Sequence, residues 1–287
     1  MSPENSSTLS FIESQFPVSK VSKESYKERK ATSGQTLPQL GKWWGRKPLI
    51  LVRAAVIGLL MPASDDPVRD REIFLKILTM DDEGMWQRKK ANIPAKVLTG
   101  YLSPREWDEY LDGDCLRSGL SRQEKEELQQ MVFLRMNYDK RLGYCYRPEE
   151  IDGPLPEAWA EINAHLGTHA TSIPELVEEL GTRQFGERPS VGDCFCGGGS
   201  IPFEAARIGC DVYASDLNPV ATLLTWAALN IVGGGEEVVE EVRQTQQEIY
   251  DAVDRQIIEW GIEENEQGWR AYAYLYCCEV ICPECGW

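Results

Sequence analysis

Three consecutive glycines separate a short predicted strand from a predicted helix, and no other stretch of the chain limits the local fold as strongly. Gly197, Gly198 and Gly199 follow the strand that leads to Asp193, and Ser200 opens the helix. Consecutive glycines let the backbone turn tightly and bring bare amides close to a ligand, at the positive end of the next helix. The sequence therefore predicts a ligand-binding turn at the edge of an α/β unit.

A second predicted strand delivers an acidic residue to the same edge. Residues 211–215 form this strand, and Asp216 follows at its carboxyl end. In nucleotide-binding α/β units, an acid in this place reaches the ribose hydroxyls. The turn lacks the spaced glycines of a dinucleotide fingerprint, and no lysine follows it as in a P-loop. A glycine turn alone often serves geometry only, but the turn, the helix and the terminal acid together favour a nucleoside site.

The rest of the chain has the pattern of a mixed helix-and-sheet protein. Residues 49–60 are apolar around most of a helical circumference, with Pro48 at a first helical position and Pro62 beyond the end, which predicts a buried helix. After Ile173, short strands alternate with helices as in a parallel sheet. Residues 236–260 predict a long acidic amphipathic helix.

The charge distribution is uneven along the chain. A net charge of −16 argues against a polyanion-binding surface spread over the whole molecule. Residues 1–60 nevertheless carry nine Lys and Arg against four Glu, so this segment either contacts phosphate or forms a solvated face. No apolar run reaches the roughly 20 residues of a membrane span, and no signal-peptide pattern opens the sequence. We therefore predict a cytoplasmic protein without a membrane partner.

The cysteines point to free thiols or metal ligands. Nine cysteines without a secretion signal do not suit a disulfide framework. Cys282 and Cys285, followed by a glycine, form one half of a zinc knuckle, and a tetrahedral site needs a second pair. The adjacent Cys277 and Cys278 have poor geometry for that pair. We do not expect a closed four-ligand site in this chain, and a zinc ion held here would be structural.

The two histidines are a weaker metal candidate. His165 and His169 lie four residues apart, with Gly167 between them and no evident acidic partner. Because glycine interrupts a helix, this spacing favours a helix end or a loop over a metal site.

Several motifs resemble one known family. Residues 193–200, together with residues 204–206 and 215–219, are similar to the S-adenosylmethionine-binding motif of amino-methylating DNA methyltransferases. More specifically, the chain resembles the adenine-specific DNA methylases that contain a zinc ribbon. The arm at residues 11–17, the Trp-Trp block at residues 42–49 and the closing Cys-Pro-Glu-Cys-Gly are similar to the same family. The resemblance covers about residues 11–62 and 172–287, whereas residues 65–171 resemble nothing that we can name.

The resemblance implies roles for the residues of the glycine turn. Asp193, Phe195, Gly197 and Gly199 are expected to line the methionine part of the cofactor, and Asp216 to hold the ribose. The family usually has a proline where this chain has Cys194; because this position mainly shapes the loop, the departure is expected to be tolerated with a looser cofactor fit. Arg46 or Lys47 is expected to neutralise the cofactor carboxylate; alternatively, both cations are solvated and Trp43 and Trp44 are core aromatics. The predicted cofactor-binding residues are Asp193, Phe195, Gly197, Gly198, Gly199, Ser200, Asp216, Asn218, Arg46, Lys47 and Pro48, and the predicted metal ligands are Cys282 and Cys285.

The fold implied by the resemblance is α/β. It is an incomplete Rossmann-like methyltransferase sheet with a large helical N-terminal region and a terminal half zinc knuckle. The expected segments are an arm and cofactor-flanking helix at 1–62, a helical insertion of unknown role at 63–171, the first half of the methyltransferase domain at 172–235, a long acidic helix at 236–270 and a partial zinc ribbon at 271–287.

The function implied is S-adenosylmethionine-dependent methylation of adenine N6 in DNA, in a restriction or phage-defence setting, by this chain or by an enzyme of which it is the N-terminal portion. Such enzymes hold the target amine with Asp or Asn followed by Pro-Pro and an aromatic residue, and no such run occurs here. The catalytic residues are therefore unknown. The alternative is a non-catalytic cofactor-binding or scaffold subunit that completes a methyltransferase with a second polypeptide. A nicotinamide-dependent oxidoreductase is disfavoured by the glycine pattern.

Overall fold

A computed structural model describes residues 9–30, 37, 41, 43–113, 115–273 and 284–285. The chain forms two compact units, Met1–Asn230 and Ile231–Trp287. Each unit is described by itself below.

The first unit is mainly helical, with two small sheets. Its helices are α1 (Phe11–Ser14), α2 (Val18–Lys30), α3 (Leu49–Leu60), α4 (Pro67–Ile77), α5 (Asp82–Gln87), α6 (Ala95–Leu98), α7 (Pro104–Tyr110), α8 (Arg122–Arg135), α9 (Tyr138–Leu142), α10 (Ala158–Leu166), α11 (Ile173–Phe185), α12 (Ser200–Arg207) and α13 (Pro219–Asn230). Its strands are β1 (Leu111–Asp112), β2 (Cys115–Leu116), β3 (Ser190–Asp193) and β4 (Asp211–Ala214), and single 3₁₀ turns lie at Thr99–Tyr101 and Pro148–Glu150.

The predicted buried helix is confirmed as α3. It begins at Leu49, one residue after Pro48, and ends at Leu60, before Pro62. Its apolar residues lie around the whole circumference, which suits a helix covered on several sides by neighbouring elements. Helices α1, α2, α11 and α12 all contact it.

The first unit has two separate large clusters of buried apolar side chains. The larger cluster joins α1, α3, α4, α10, α11 and α12 and includes Phe11, Phe74 and Trp159. The second lies within residues 85–145, around Val132 and Phe133. Helices α4 and α10, which bracket this second cluster in sequence, belong to the larger one. The segment expected as a single insertion therefore contributes to both clusters.

The strands that flank the glycine turn form a parallel pair. Strand β3 pairs with β4 in a register that sets Val191 opposite Val212 and Gly192 opposite Tyr213. Val191 and Val212 pack on the larger core, whereas the Tyr213 side chain on the other face is 72% exposed. Strands β1 and β2 form a separate antiparallel pair. The protein is thus a mixed helix-and-sheet fold.

The second unit consists mainly of one long helix. After a 3₁₀ turn at Val232–Gly234, α14 runs from Gly235 to Trp260 and ends at Gly261, which adopts a left-handed conformation. The long acidic helix predicted at residues 236–260 is confirmed, and it ends at Trp260, ten residues before the end of the expected segment 236–270. Across the described part of the chain, no helix combines the length and the apolar character needed to cross a membrane.

Candidate functional site

The glycine turn lies at the carboxyl end of both strands of the parallel pair. The Ser215 amide donates to the Asp193 carbonyl at 2.9 Å, and the Cys196 amide donates to the Ser215 carbonyl at 3.1 Å. These bonds extend the contact between the two chain segments beyond the strands. Gly197 and Gly199 have φ values of 51° and 76°, which L-residues rarely adopt. The sequence needs glycine at both positions for the backbone to enter α12.

Asp216 is hydrogen-bonded directly to this turn. Its Oδ2 accepts from the Gly197 amide at 2.9 Å, and its Oδ1 accepts from the Asn218 amide at 2.9 Å. These backbone bonds, that from Asn218 first, lower the pKa of the Asp216 carboxyl, so the group is ionised at neutral pH. A carboxylate has about four acceptor sites. Each oxygen therefore keeps capacity for a hydroxyl donor.

The other predicted residues differ in their hydrogen bonds and in their exposure. The Asp193 carboxylate accepts from the Phe195 amide at 3.1 Å and so shapes the start of the turn. Asn218 accepts from the Val220 amide at 3.0 Å and starts α13. Ser200 is buried at the first position of α12. The Phe195 side chain is 78% exposed and available to a ligand.

The Trp-Trp block reaches the same turn from a distant part of the sequence. A Cβ atom on Gly197 would lie 2.6 Å from Trp43 Nε1, and one on Gly198 would lie 2.8 Å from Arg46 Nε. The indole and the guanidinium thus pack against bare backbone that any other residue would block. Trp44 is 87% exposed, so its interpretation as a core aromatic is wrong.

Arg46 has an unusual hydrogen-bonding state. Its Nη2 donates to the Gly41 carbonyl, but its buried Nε and Nη1 have no acceptor among the described residues. Burial lowers the pKa of the guanidinium, although arginine stays charged at neutral pH. Neighbouring Lys47 is exposed, and Pro48 is half-buried before α3. Of the two cations proposed for the cofactor carboxylate, only Arg46 lies against the glycines.

A buried ion pair fixes α12 to α3. Arg53 Nε donates to Glu204 Oε1 at 2.6 Å, and the two side chains are 5% and 0% exposed. Arg53 also donates to the Pro148 carbonyl at 3.2 Å, and Arg207 donates to the second Glu204 oxygen at 2.9 Å. Sequence reasoning missed this pair. A lone arginine in an otherwise apolar helix was the signal that could have indicated a buried partner.

Thr225 of α13 packs against the glycine turn, and this contact was not predicted from the sequence. Its hydroxyl lies 3.3 Å from the Gly197 carbonyl and 3.3 Å from Cys196 Sγ. A Cβ atom on Gly199 would come within 2.9 Å of Thr225 Oγ1. The third glycine is therefore needed for the close approach of α13 as well as for its positive φ.

The predicted metal candidates are two cysteines and, more weakly, two histidines. Cys285 is an exposed free thiol, and Cys282 lies outside the described residues. His165 ends α10 and contacts Asp70 Oδ1 at 2.7 Å. The expectation that the histidine had no acidic partner was wrong, because Asp70 comes from a helix distant in sequence. No group of three possible metal ligands occurs within the described ranges.

Comparison with known protein families gives a match over part of the chain. Residues 15–77 match a family model described as a protein of unknown function, DUF1156. The match spans α2, the Trp-Trp block, α3 and α4, and it includes Trp43, Arg46 and Arg53. No curated protein and no solved structure matches the chain.

Proposed function

We propose that this chain binds S-adenosylmethionine at the glycine turn and acts on DNA, as an adenine N6 methyltransferase or as the cofactor-binding portion of one. The observation that carries the proposal is the 2.9 Å hydrogen bond between the Gly197 amide and the Asp216 carboxylate. It joins a glycine turn and an ionised acid at the carboxyl end of two parallel strands, where α/β proteins bind nucleosides. A Rossmann-like methyltransferase sheet, of which β3 and β4 form the first pair, belongs to the same proposal.

The two Arg46 nitrogens that have no acceptor within the described ranges support an amino-acid moiety at this site. A buried charged donor without an acceptor is destabilising, by about 1–3 kcal/mol or more. The carboxylate of the methionine part would accept from Arg46 Nε and Nη1, and Nε lies beside Gly198. Trp43 covers the glycines from that side. On the other side of the turn, Leu217 is 96% exposed and the Asp216 oxygens can receive hydroxyl donors.

Each residue of the site has a separate role in cofactor binding. Bound S-adenosylmethionine supplies a sulfonium methyl group for direct transfer to an exocyclic adenine nitrogen. Asp216 accepts hydrogen bonds from the ribose hydroxyls, and Arg46 neutralises the carboxylate. Cys194 is exposed, and Cys196 is buried against the Thr225 hydroxyl. Neither cysteine is needed as a nucleophile, because amino methylation forms no covalent enzyme intermediate.

A second candidate is a cofactor-binding or scaffold subunit that works with a second polypeptide. The exposed side of the parallel pair favours it, because parallel sheets are normally covered on both faces. Tyr213 on that face is 72% exposed, and Val220, Leu223 and Trp226 of α13 are 54%, 62% and 54% exposed. The sequence also lacks the Pro-Pro-aromatic run that holds a target amine. A partner that supplies further strands would cover this surface and provide that element.

Calorimetric titration with S-adenosylmethionine tests cofactor binding. Asp216→Asn should weaken binding by about 1.5–3 kcal/mol, because a hydrogen bond to a charged group is lost. Asp211→Asn, at the other end of the same strand, is the matched control and should bind as wild type does. Arg46→Gln should weaken binding, whereas the adjacent Lys47→Gln should not. No heat with the wild-type chain, or an unchanged affinity in Asp216→Asn, would refute the proposal.

Methyl transfer distinguishes the two candidates. Transfer of a labelled methyl group to DNA by the purified chain supports the enzyme. Transfer that requires co-expression with the product of the downstream reading frame supports the subunit. In both cases Asp216→Asn should lower the rate and Asp211→Asn should not.

A further inference from the structure

Helix α2 has an outward side that is more basic than its sequence suggests. Both of its acids point inward: Glu24 is fully buried and accepts from Arg88 and from the Tyr138 hydroxyl, at 2.7 and 2.9 Å. Glu28 accepts from the Leu49 amide at 2.8 Å and so caps α3. Because these carboxylates are used internally, the cations of the helix determine the charge of its outer side. Those that stay on this side are Lys23, Arg29 and Lys30, because Lys20 and Lys27 donate to the carbonyls of Met80 and Cys145, at 3.4 and 2.5 Å.

The loop that packs beside α2 adds cations and aromatic rings. Lys27 Nζ donates to the Tyr146 carbonyl at 3.4 Å, which places Tyr146 against the helix. Lys90 Nζ lies 5.6 Å from the Tyr146 ring centroid, and Lys30 Nζ lies 4.5 Å from that of Tyr26. The rings of Tyr26 and Tyr146 are 59% and 46% exposed. We call this the α2 basic surface and define it as Lys23, Tyr26, Arg29, Lys30, Lys90 and Tyr146.

The acidic character of the whole protein does not cancel this surface. Exposed charges farther away than about 8–10 Å are largely screened at physiological salt. One acid lies within the surface itself, because Asp139 pairs with Lys23 at 2.6 Å. The other cations, Arg29, Lys30 and Lys90, have no ion-pair partner among the described residues. A local positive field therefore remains.

Cations interleaved with exposed aromatic rings match the chemistry of nucleic acid. Lys and Arg neutralise phosphates, and tyrosine rings stack on unpaired bases. A membrane surface would instead require aliphatic or Trp side chains for insertion, and the six residues include none. From this placement we infer that the α2 basic surface contacts the phosphate backbone of DNA, with Tyr26 and Tyr146 stacking on bases exposed when the duplex opens. The choice of DNA as the partner rests on the proposed function. The contact with phosphate rests on the cations of the α2 basic surface alone.

Fluorescence anisotropy with a labelled DNA duplex, without cofactor, tests the inference on the full chain. The triple variant Arg29→Ala, Lys30→Ala, Lys90→Ala should weaken binding at least about tenfold. It should also lower the slope of log affinity against log salt by about 2–3, because each phosphate contact contributes about 0.9. The charge-matched control is Lys96→Ala, Arg105→Ala, Lys125→Ala, three exposed cations on other helices. It should change affinity less than about twofold.

Single-stranded DNA tests the stacking of Tyr26 on unpaired bases. Tyr26→Ala should weaken single-strand binding several-fold, whereas Tyr26→Phe keeps the ring and should bind as wild type does. Equal losses in the two triple variants would overturn the inference, and so would tighter binding to phosphatidylserine vesicles than to DNA. Calorimetry with S-adenosylmethionine separates the two proposals. The first triple variant should bind the cofactor as the wild-type chain does. If the wild-type chain binds DNA but gives no heat with the cofactor, the proposed function is refuted and the inference stands.

Discussion

The buried pair Arg53 and Glu204 offers the sharpest test of how this protein is held together. It connects α3, in the segment that matches the family model, with α12, which follows the glycine turn. Removing one partner from a buried ion pair leaves an uncompensated charge and usually costs about 3–5 kcal/mol. Replacing both partners with apolar side chains of similar volume is often neutral. The pair therefore predicts a large cost for each single variant and a smaller cost for the double variant.

The remaining partners decide which single variant is worse. In Glu204→Leu, Arg53 keeps one hydrogen-bond acceptor among the described residues, the Pro148 carbonyl 3.2 Å away, and the attraction of buried Glu149. In Arg53→Met, Glu204 keeps Arg207 at 2.9 Å, with the Arg207 side chain 35% exposed. We therefore expect Glu204→Leu to lower the free energy of unfolding by about 4–5 kcal/mol and Arg53→Met by about 3 kcal/mol. The double variant should lose less than either one.

Urea unfolding gives these values if two probes report the same transition. Tryptophan fluorescence, which includes buried Trp159, and far-UV circular dichroism are suitable probes. The double-mutant cycle isolates the coupling between the two side chains. Additive losses, or single variants that cost less than about 1 kcal/mol, would refute the reasoning. Such a result would mean that Arg53 and Glu204 are solvated or separately compensated.

Burial raises the pKa of Glu28 from 4.5 to about 7. Between these two pH values the folded state holds a proton that the unfolded chain releases, so the free energy of unfolding should decrease as the pH rises from 4.5 to about 7. Glu28→Gln should flatten this decline in urea titrations at pH 5 and 8; an unchanged decline would contradict the assignment. Gly199→Ala, at φ 76° and with its Cβ 2.9 Å from a threonine hydroxyl, should abolish cofactor binding. Gly186→Ala, at φ 83° with no atom within 4 Å, should cost about 1–2 kcal/mol and leave binding unchanged. Exposed Cys194 should react with maleimide in the native protein, whereas burial raises the pKa of Cys210 to about 11 and should delay its reaction until unfolding, as peptide mass spectrometry would show.

The sequence alone predicted the local elements of the site well. Contiguous glycines after one strand, and Asp216 at the end of the next, predicted the turn and its acid, because each signal lies within one element and its flanking loop. Periodicity and proline positions likewise predicted α3 and α14 to within a residue. Such signals are local, and the physics that produces them requires no knowledge of distant contacts.

Tertiary structure decided which distant residues meet. It placed Trp43 and Arg46 on the glycines, paired Arg53 with Glu204, and gave His165 an acidic partner. It also turned the two acids of α2 inward and so made the outer side of that helix basic. A count of charges along the sequence does not show which charges are buried or paired. Burial and pairing depend on neighbours that only the packed core brings together.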